Sequence, residues 1–220
     1  MSIQKRISDI RKEIDARVTL VAVSKTKPIE AIKVAYDAGQ RVFGENKVQE
    51  MAAKYEQLPK GIDWHLIGHL QSNKVKYIAP FVQLIHSVDS LKLLQEINKQ
   101  AQKNKRTIDC LLQFHVASEE TKFGLNMIEA KELLDSPEYG MLQNIRIVGI
   151  MGMASFTENQ ALVRHEFHTL KSLFDTLKDS YFSTSDAFTE ISMGMSGDYR
   201  IAVEEGSTMI RVGSTIFGSR

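Results

Sequence analysis

The chain has 220 residues, 43% hydrophobic and 25% charged, and its 28 basic and 27 acidic side chains leave a formal net charge of +1. That length and apolar fraction support one sizeable core. The even charge excludes a nucleic-acid or membrane-surface protein held by bulk electrostatics, so any ligand must be gripped locally. No apolar run approaches the ~20 residues of a spanning helix, and the N-terminus lacks the apolar centre of a signal peptide. The single cysteine, Cys110, lies in the apolar run IDCLLQFHV and is expected in the core. A lone cysteine makes no internal disulfide, so a cytoplasmic, reducing compartment is expected.

In chain order, the first segment, MSIQKRISDIRKEIDARV, is a charged amphipathic pattern and predicts an extra N-terminal helix. After it one grammar repeats: a short apolar run ends in a small or polar residue, and a stretch of helical period comes next. Strands are predicted at 18–24, 41–45, 63–68, 82–88, 108–116, 146–153, 190–196 and 208–214. Helical patterns fall between them at 28–39, 46–58, 71–79, 89–104, 127–135, 158–179 and 197–206, the first with Pro28 in its opening turn and Gly39 as its stop. Such alternation implies a parallel sheet with right-handed crossovers, either doubly wound or closed as a (β/α)8 barrel. The turn after the first strand is SKTKP, without the glycines of a dinucleotide fold. Polar residues instead gather at the carboxyl ends of several strands, the pattern of a barrel. The prediction is therefore an α/β fold: one TIM-type (β/α)8 barrel domain over 1–220 with an added N-terminal helix.

Lys25 is the sharpest chemical candidate. A lysine directly after an apolar strand must snorkel to water, pair with an acid or act as an amine nucleophile. Lys27, beside Pro28, reads as a solvated loop residue. After the last strand, Gly213, Ser214 and Thr215 offer backbone N–H groups and hydroxyls to an anion, and Ser196 and Gly197 offer the same from the preceding loop, with Asp198 as a helix N-cap. Strand ends and helix caps explain the same residues equally well. Arg211 alternates with Ile210 and Val212, and pairing with Glu204 or Glu205 is the simplest expectation for it. His65 and His69 lack the context of a zinc site, His86 and His115 read as neutral core-edge histidines, and His165 and His168 as members of a solvated helix face. The methionines of GIMGMAS and ISMGMSG are expected to pack the barrel mouth, and Gly149, Gly152 and Gly194 beside them suggest close backbone approach to something flat or bulky.

Together the stretches AVSKTKP, FGENKVQE, WHLIGHLQSNK, HSVDS, GIMGMAS and SMGMSGDYRIAVEEGSTMIRVGSTIFG resemble the pyridoxal phosphate homeostasis proteins, from about residue 18 to the C-terminus. The resemblance implies the barrel found as the N-terminal domain of alanine racemase. It also implies pyridoxal 5′-phosphate (PLP) held as a Schiff base on Lys25, with its phosphate against Ser196, Gly213 and Ser214. The family often has Gly-Thr where this chain has Gly-Ser, and a hydroxyl remains in either case. Arg211 matches an arginine facing the pyridine nitrogen, Asn46 and His69 match positions lining the pocket, and Met193 matches a loop beside the cofactor. The activity implied is a vitamin B6 carrier that buffers PLP or delivers it to apo-enzymes. Racemases of this fold take a second base, commonly a tyrosine from an additional β-domain of a partner subunit. The sequence ends seven residues after Gly213, so no such domain, no robust turnover and a monomer are expected. The alternatives are an amino-acid racemase of the same fold and a sugar-phosphate enzyme using a lysine Schiff base.

Overall fold

A computed structural model describes residues 1–117 and 123–218. Eight strands form a closed parallel barrel in sequence order. They are β1 (Thr19–Val23), β2 (Val42–Glu45), β3 (Asp63–Leu66), β4 (Leu84–Val88), β5 (Ile108–Gln113), β6 (Ile145–Met151), β7 (Glu190–Met195) and β8 (Met209–Val212). The barrel closes where Thr19, Leu20, Val21 and Ala22 of β1 align with Met209, Ile210, Arg211 and Val212 of β8. The helices are α1 (Ile3–Glu13), α2 (Ile29–Asp37), α3 (Val48–Gln57), α4 (Leu91–Lys103), α5 (Met127–Asp135), α6 (Pro137–Gly140), α7 (Gln160–Tyr181), α8 (Tyr199–Glu204) and α9 (Ser214–Phe217). Among the described residues no helix is long and apolar enough to cross a membrane.

All eight predicted strands are present, most of them shorter at the carboxyl end, so that residues such as Ser24, Gly68 and Ser196 lie just beyond the strand ends. The predicted helix at 71–79 is a 3₁₀ segment, Ser72–Tyr77, with Lys74 N–H bonded to Gln71 and Ile78 N–H to Val75. A three-residue period stacks Val75 over Ile78, and both are buried. The short α6 is not among the predicted helices, although Ser136 caps it and Pro137 occupies its first position. The extra N-terminal helix is present as α1, capped by the Ser2 hydroxyl, and Arg6 ties it to the carbonyl of Ile216 on α9.

Period-two alternation divides the core into two layers. Leu20, Ala22, Phe43, Trp64, Leu66, Ile85, Cys110, Leu112, Ile191, Met193, Ile210 and Val212 pack outward against the helices. Val21, Leu84, Leu111, Val148, Met151 and Met209 fill the barrel interior. Cys110 is fully buried, as expected, and burial pushes its thiol pKa up. The methionines do not fill the mouth as a group, since Met151 and Met209 belong to the interior and Met193 to the outer layer.

The glycines among them serve packing within the fold. A Cβ on Gly149 would stand 1.8 Å from the Glu190 carbonyl oxygen, one on Gly152 2.8 Å from Leu170, and one on Gly194 2.5 Å from the Ala202 Cβ. The close approach expected at these glycines is thus to β7, α7 and α8. Gly149→Ala forces β6 and β7 apart and should cost at least the ~1–3 kcal/mol of core overpacking. Gly140→Ala, with nothing within 4 Å of its Cβ, should be neutral or gain ~0.4–1 kcal/mol. Urea unfolding midpoints of the two variants check the contrast.

Candidate functional site

At the carboxyl end of the barrel, β1 runs out through Val23, and the amide of Lys27 returns to the Ser24 carbonyl at 3.0 Å, closing a turn with half-buried Lys25 inside it. Lys25 is in phase with the inward Val21, whereas Ser24 faces the helix layer. Thr26 has φ of 63°, the left-handed region that a β-branched residue rarely occupies. Its strained turn is held from below. The Thr26 amide donates to Glu50 Oε1 of α3 at 2.6 Å, and the Ser24 hydroxyl to Glu45 Oε1 of β2 at 2.6 Å. Buried Lys54, one helical turn beyond Glu50, donates to the Ser24 carbonyl at 2.8 Å and to Glu45 and Glu50 at 2.7 Å each.

Burial raises the Glu45 carboxyl above its usual range against the pull of Lys54 and Ser24. Glu50 is buried less, and its bonds from Lys54 and Thr26 outweigh that burial and lower it. Glu45, at the end of β2, is thus a buried structural acceptor under the lysine turn. Its partner Lys54 carries no signal in a one-dimensional reading, because only the fold aligns α3 with the end of β1. Lys27 is half-buried and donates from Nζ to the Gly218 carbonyl at 3.0 Å, which corrects its reading as a solvated residue.

Arg211 points into the barrel from β8 and is only 4% exposed. Its Nη1 donates to Ser192 Oγ of β7 at 2.6 Å and its Nη2 to the Gly152 carbonyl at 3.0 Å. It does not pair with Glu204 or Glu205. Those carboxylates face outward from the end of α8, where Arg164 of α7 takes both. Burial lowers Arg211 to about 10, opposed by the carboxylate of Asp198, so the guanidinium remains charged at neutral pH. Asp198 stands at the N-cap of α8 but its side chain does not cap the helix; it receives the Met195 amide instead.

Below Arg211 the polar chain continues. His86 Nδ1 is 2.9 Å from Ser192 Oγ, and His86 Nε2 is 3.0 Å from His65 Nδ1. Burial holds both imidazoles neutral, His65 at about 3 and His86 well below the ordinary value, where His65 and Arg211 add to the effect. His86 is neutral and satisfied, as predicted, but it sits inside the barrel. The pairing of His65 with His86 is not anticipated from the sequence. Its signal is the alternation Trp64, His65, Leu66, read on the same inward face as Arg211.

The remaining predicted residues lie around the mouth. The Gly213 amide donates to Ser196 Oγ at 3.1 Å, joining the loops after β7 and β8. Ser214 is exposed and opens α9, where the first amides have no earlier carbonyl to receive them. A Cβ on Gly213 would stand 3.3 Å from the Val23 carbonyl, two residues before Lys25. The backbone of Asn46 touches Gly68, whose Cβ would come within 2.4 Å of the Asn46 carbonyl, and Ser87 Oγ fixes Gly68 from below at 2.6 Å. His69 Nδ1 is 3.6 Å from Asp89 Oδ2, and its ring stacks on Phe123 at 4.3 Å. Met193 is not in a loop: it belongs to β7, and its side chain is buried outward while Ser192 takes the inward position.

The chain matches the family described as "Alanine racemase, N-terminal domain" over residues 1–220. It is 43% identical to the pyridoxal phosphate homeostasis protein of Aquifex aeolicus over 203 residues, covering 91% of this chain and 86% of that one. The solved structure of PipY from Synechococcus elongatus with PLP bound superposes with a TM-score of 0.89 at 36% identity, covering 99% of this chain and 100% of PipY. The chain belongs to the pyridoxal phosphate homeostasis proteins. Alanine racemase from Bartonella henselae, at 16% identity and a TM-score of 0.71, shares the barrel over 99% of this chain and 58% of its own. In this member of the family the barrel mouth joins a lysine in the turn after β1, a buried guanidinium on β8 and a set of N–H and hydroxyl groups after β7 and β8.

Two stability measurements test the buried charges. Lys54→Met strands Glu45 without its cation and should cost about 3–5 kcal/mol, most of it recovered by adding Glu45→Gln, as read in a double-mutant cycle. His65 and His86 are uncharged when folded and regain a pKa near 6.5 when unfolded. The unfolded chain therefore binds more protons below that pH. Stability is full above about 6.5 and should fall as the pH drops toward about 3, by up to ~1.4 kcal/mol per pH unit for each histidine. Urea midpoints at pH 7 and pH 5 check the slope.

Proposed function

We propose that the chain is one PLP-binding barrel domain that captures PLP on Lys25 and serves PLP homeostasis, buffering the cofactor or passing it to apo-enzymes without sustained turnover. The observation that carries the reading is the juxtaposition of β1 and β8, which sends Lys25 and the Gly213-Ser214 turn from neighbouring strands over one buried arginine. The donor set fits the cofactor: an amine for the aldehyde, N–H and hydroxyl groups for a phosphate, and space beside Val23 that any side chain at position 213 would fill. The PLP found in PipY supports it.

PLP supplies an aldehyde that condenses reversibly with a lysine amine, with loss of water. The strained turn and the Glu45–Lys54–Glu50 network hold Lys25 at the mouth. Ser196, Gly213 and Ser214 bind the phosphate, and Asn46 and His69 line the rim. For Met193 the reading retains only the backbone, since its side chain faces the helices. Arg211 opposes a second positive charge at the pyridine nitrogen, which leaves the bound ring a weak acceptor of electrons and disfavours carbanion chemistry. The names of the relatives as homeostasis proteins agree with a carrier. In this reading the barrel works as a monomer in the cytoplasm, its site built from residues of one chain.

Purified protein mixed with PLP should develop a visible absorption band that Lys25→Ala abolishes. Borohydride reduction and subsequent peptide mapping should place the pyridoxyl group on Lys25, not on Lys27, whose Nζ is engaged with Gly218. An adduct on Lys27 alone, or no uptake of PLP, overturns the reading. Sustained racemisation of an added amino acid would favour the racemase.

A further inference from the structure

The polar residues inside the barrel form a column: Arg211 to Ser192 at 2.6 Å, Ser192 to His86 at 2.9 Å, His86 to His65 at 3.0 Å. It begins at the guanidinium proposed to face the cofactor ring. It ends at a cavity of about 420 Å³ at the opposite, amino end of the barrel, lined by His65, Asp63, Asp109, Arg146 and Glu190 among others. Among the described residues, Val21, Leu84, Leu111, Val148, Met151 and Met209 pack the interior around this column. A column of polar groups there has to satisfy itself, because water does not surround it.

Only one proton order does so. Arginine has donors and no acceptor, so Ser192 Oγ accepts from Arg211. The serine proton then has one partner, His86 Nδ1. If His86 Nδ1 carried its own proton, Ser192 would accept twice and its hydroxyl hydrogen would be stranded in the interior, an unmet donor of the expensive kind. With Nδ1 accepting, neutral His86 carries its proton on Nε2 and donates to His65 Nδ1. His65 in turn carries its proton on Nε2, toward the amino-end cavity. The charge on Arg211 favours the same order, because it draws the serine oxygen toward itself and turns each successive dipole the same way.

We infer that Ser192, His86 and His65 are positioning residues for Arg211: a one-way hydrogen-bonded column, with both histidines as neutral Nε2–H tautomers, that fixes the guanidinium under the cofactor site. The consequence for binding rests on the proposed capture of PLP; the tautomers do not. The column presents the cofactor site with one positive charge in one orientation. Around it, Asp198 acts on Arg211 at longer range from the mouth without cancelling its charge, while Asp63, Glu190 and the Asp109–Arg146 pair border the far end.

Two-bond proton–nitrogen spectra of ¹⁵N-labelled, cofactor-free protein read the tautomers directly. At pH 7 both His65 and His86 should show neutral Nε2–H. An Nδ1–H tautomer or an imidazolium at His86 overturns the column. Ser192→Ala removes the link while keeping the volume nearly constant. It should change the His86 tautomer signal, weaken PLP binding about tenfold and shift the absorption band of the bound form, and Ser192→Thr should restore all three. Binding and spectrum unchanged in Ser192→Ala overturn the positioning role. If unmutated protein takes up no PLP, the functional reading falls, and the spectra of the cofactor-free protein still decide the column.

Discussion

Hydrogen bonds between Thr19–Ala22 and Met209–Val212, running residue by residue along β1 and β8, close the barrel, and every feature of the mouth depends on that closure. It pairs Val21 with Arg211 and Ala22 with Val212, so residues almost two hundred positions apart leave the sheet side by side. Gly213 then lies against Val23 because it lacks a side chain. The outer layer reinforces the same junction, with α1 resting near α9 through Arg6 and with Lys27 bound to the Gly218 carbonyl. An open sheet with the same strands would leave Lys25 and Gly213 on opposite edges.

Closure also decides where charge is tolerated. The two buried cations near the mouth are compensated in different ways. Lys54 lies between sheet and helix and meets two carboxylates and a carbonyl, so its charge is matched locally. Arg211 lies inside the barrel and meets a hydroxyl and a carbonyl, with Asp198 acting at longer range. The first arrangement is a brace: it fixes a strained turn by saturating every donor of one ammonium. The second keeps a net field directed at the mouth, because neutral acceptors hold the guanidinium without cancelling it.

Much of this is legible in the sequence, because strands in a parallel barrel are read by composition and the active end by the residues immediately after each run. The eight strands, the N-terminal helix, Lys25 and the Gly213-Ser214 turn come from that grammar and from long shared motifs. The failures lie wherever side-chain direction decides. Arg211 is expected to seek Glu204 or Glu205, the nearest acids in sequence, but those residues end α8 on the outer surface while Arg211 turns inward. Met193 and Ser192 are adjacent and point to opposite faces, so a motif that spans both does not say which one meets the interior. Lys54 and His65 are fixed by contacts across 30 and 21 residues, for which no local pattern exists.

The two sides of the mouth differ in stiffness, and that difference bears on a carrier. Lys25 sits in a turn with a left-handed Thr26, anchored through Glu50, Glu45 and Lys54, so its backbone is ordered before any ligand arrives and less ordering remains to oppose the proposed capture. The donors proposed for the phosphate lie on the other side, where Ser214 and Thr215 are exposed and the Gly213–Ser196 bond joins the loops. Water competes for those groups, which limits the affinity they add. In the proposed carrier, a reversible covalent anchor on a braced turn combined with a wet, open anion site would favour fast exchange of the ligand over its burial. An enzyme that must shield a carbanion needs the opposite arrangement, with water excluded around the reacting centre.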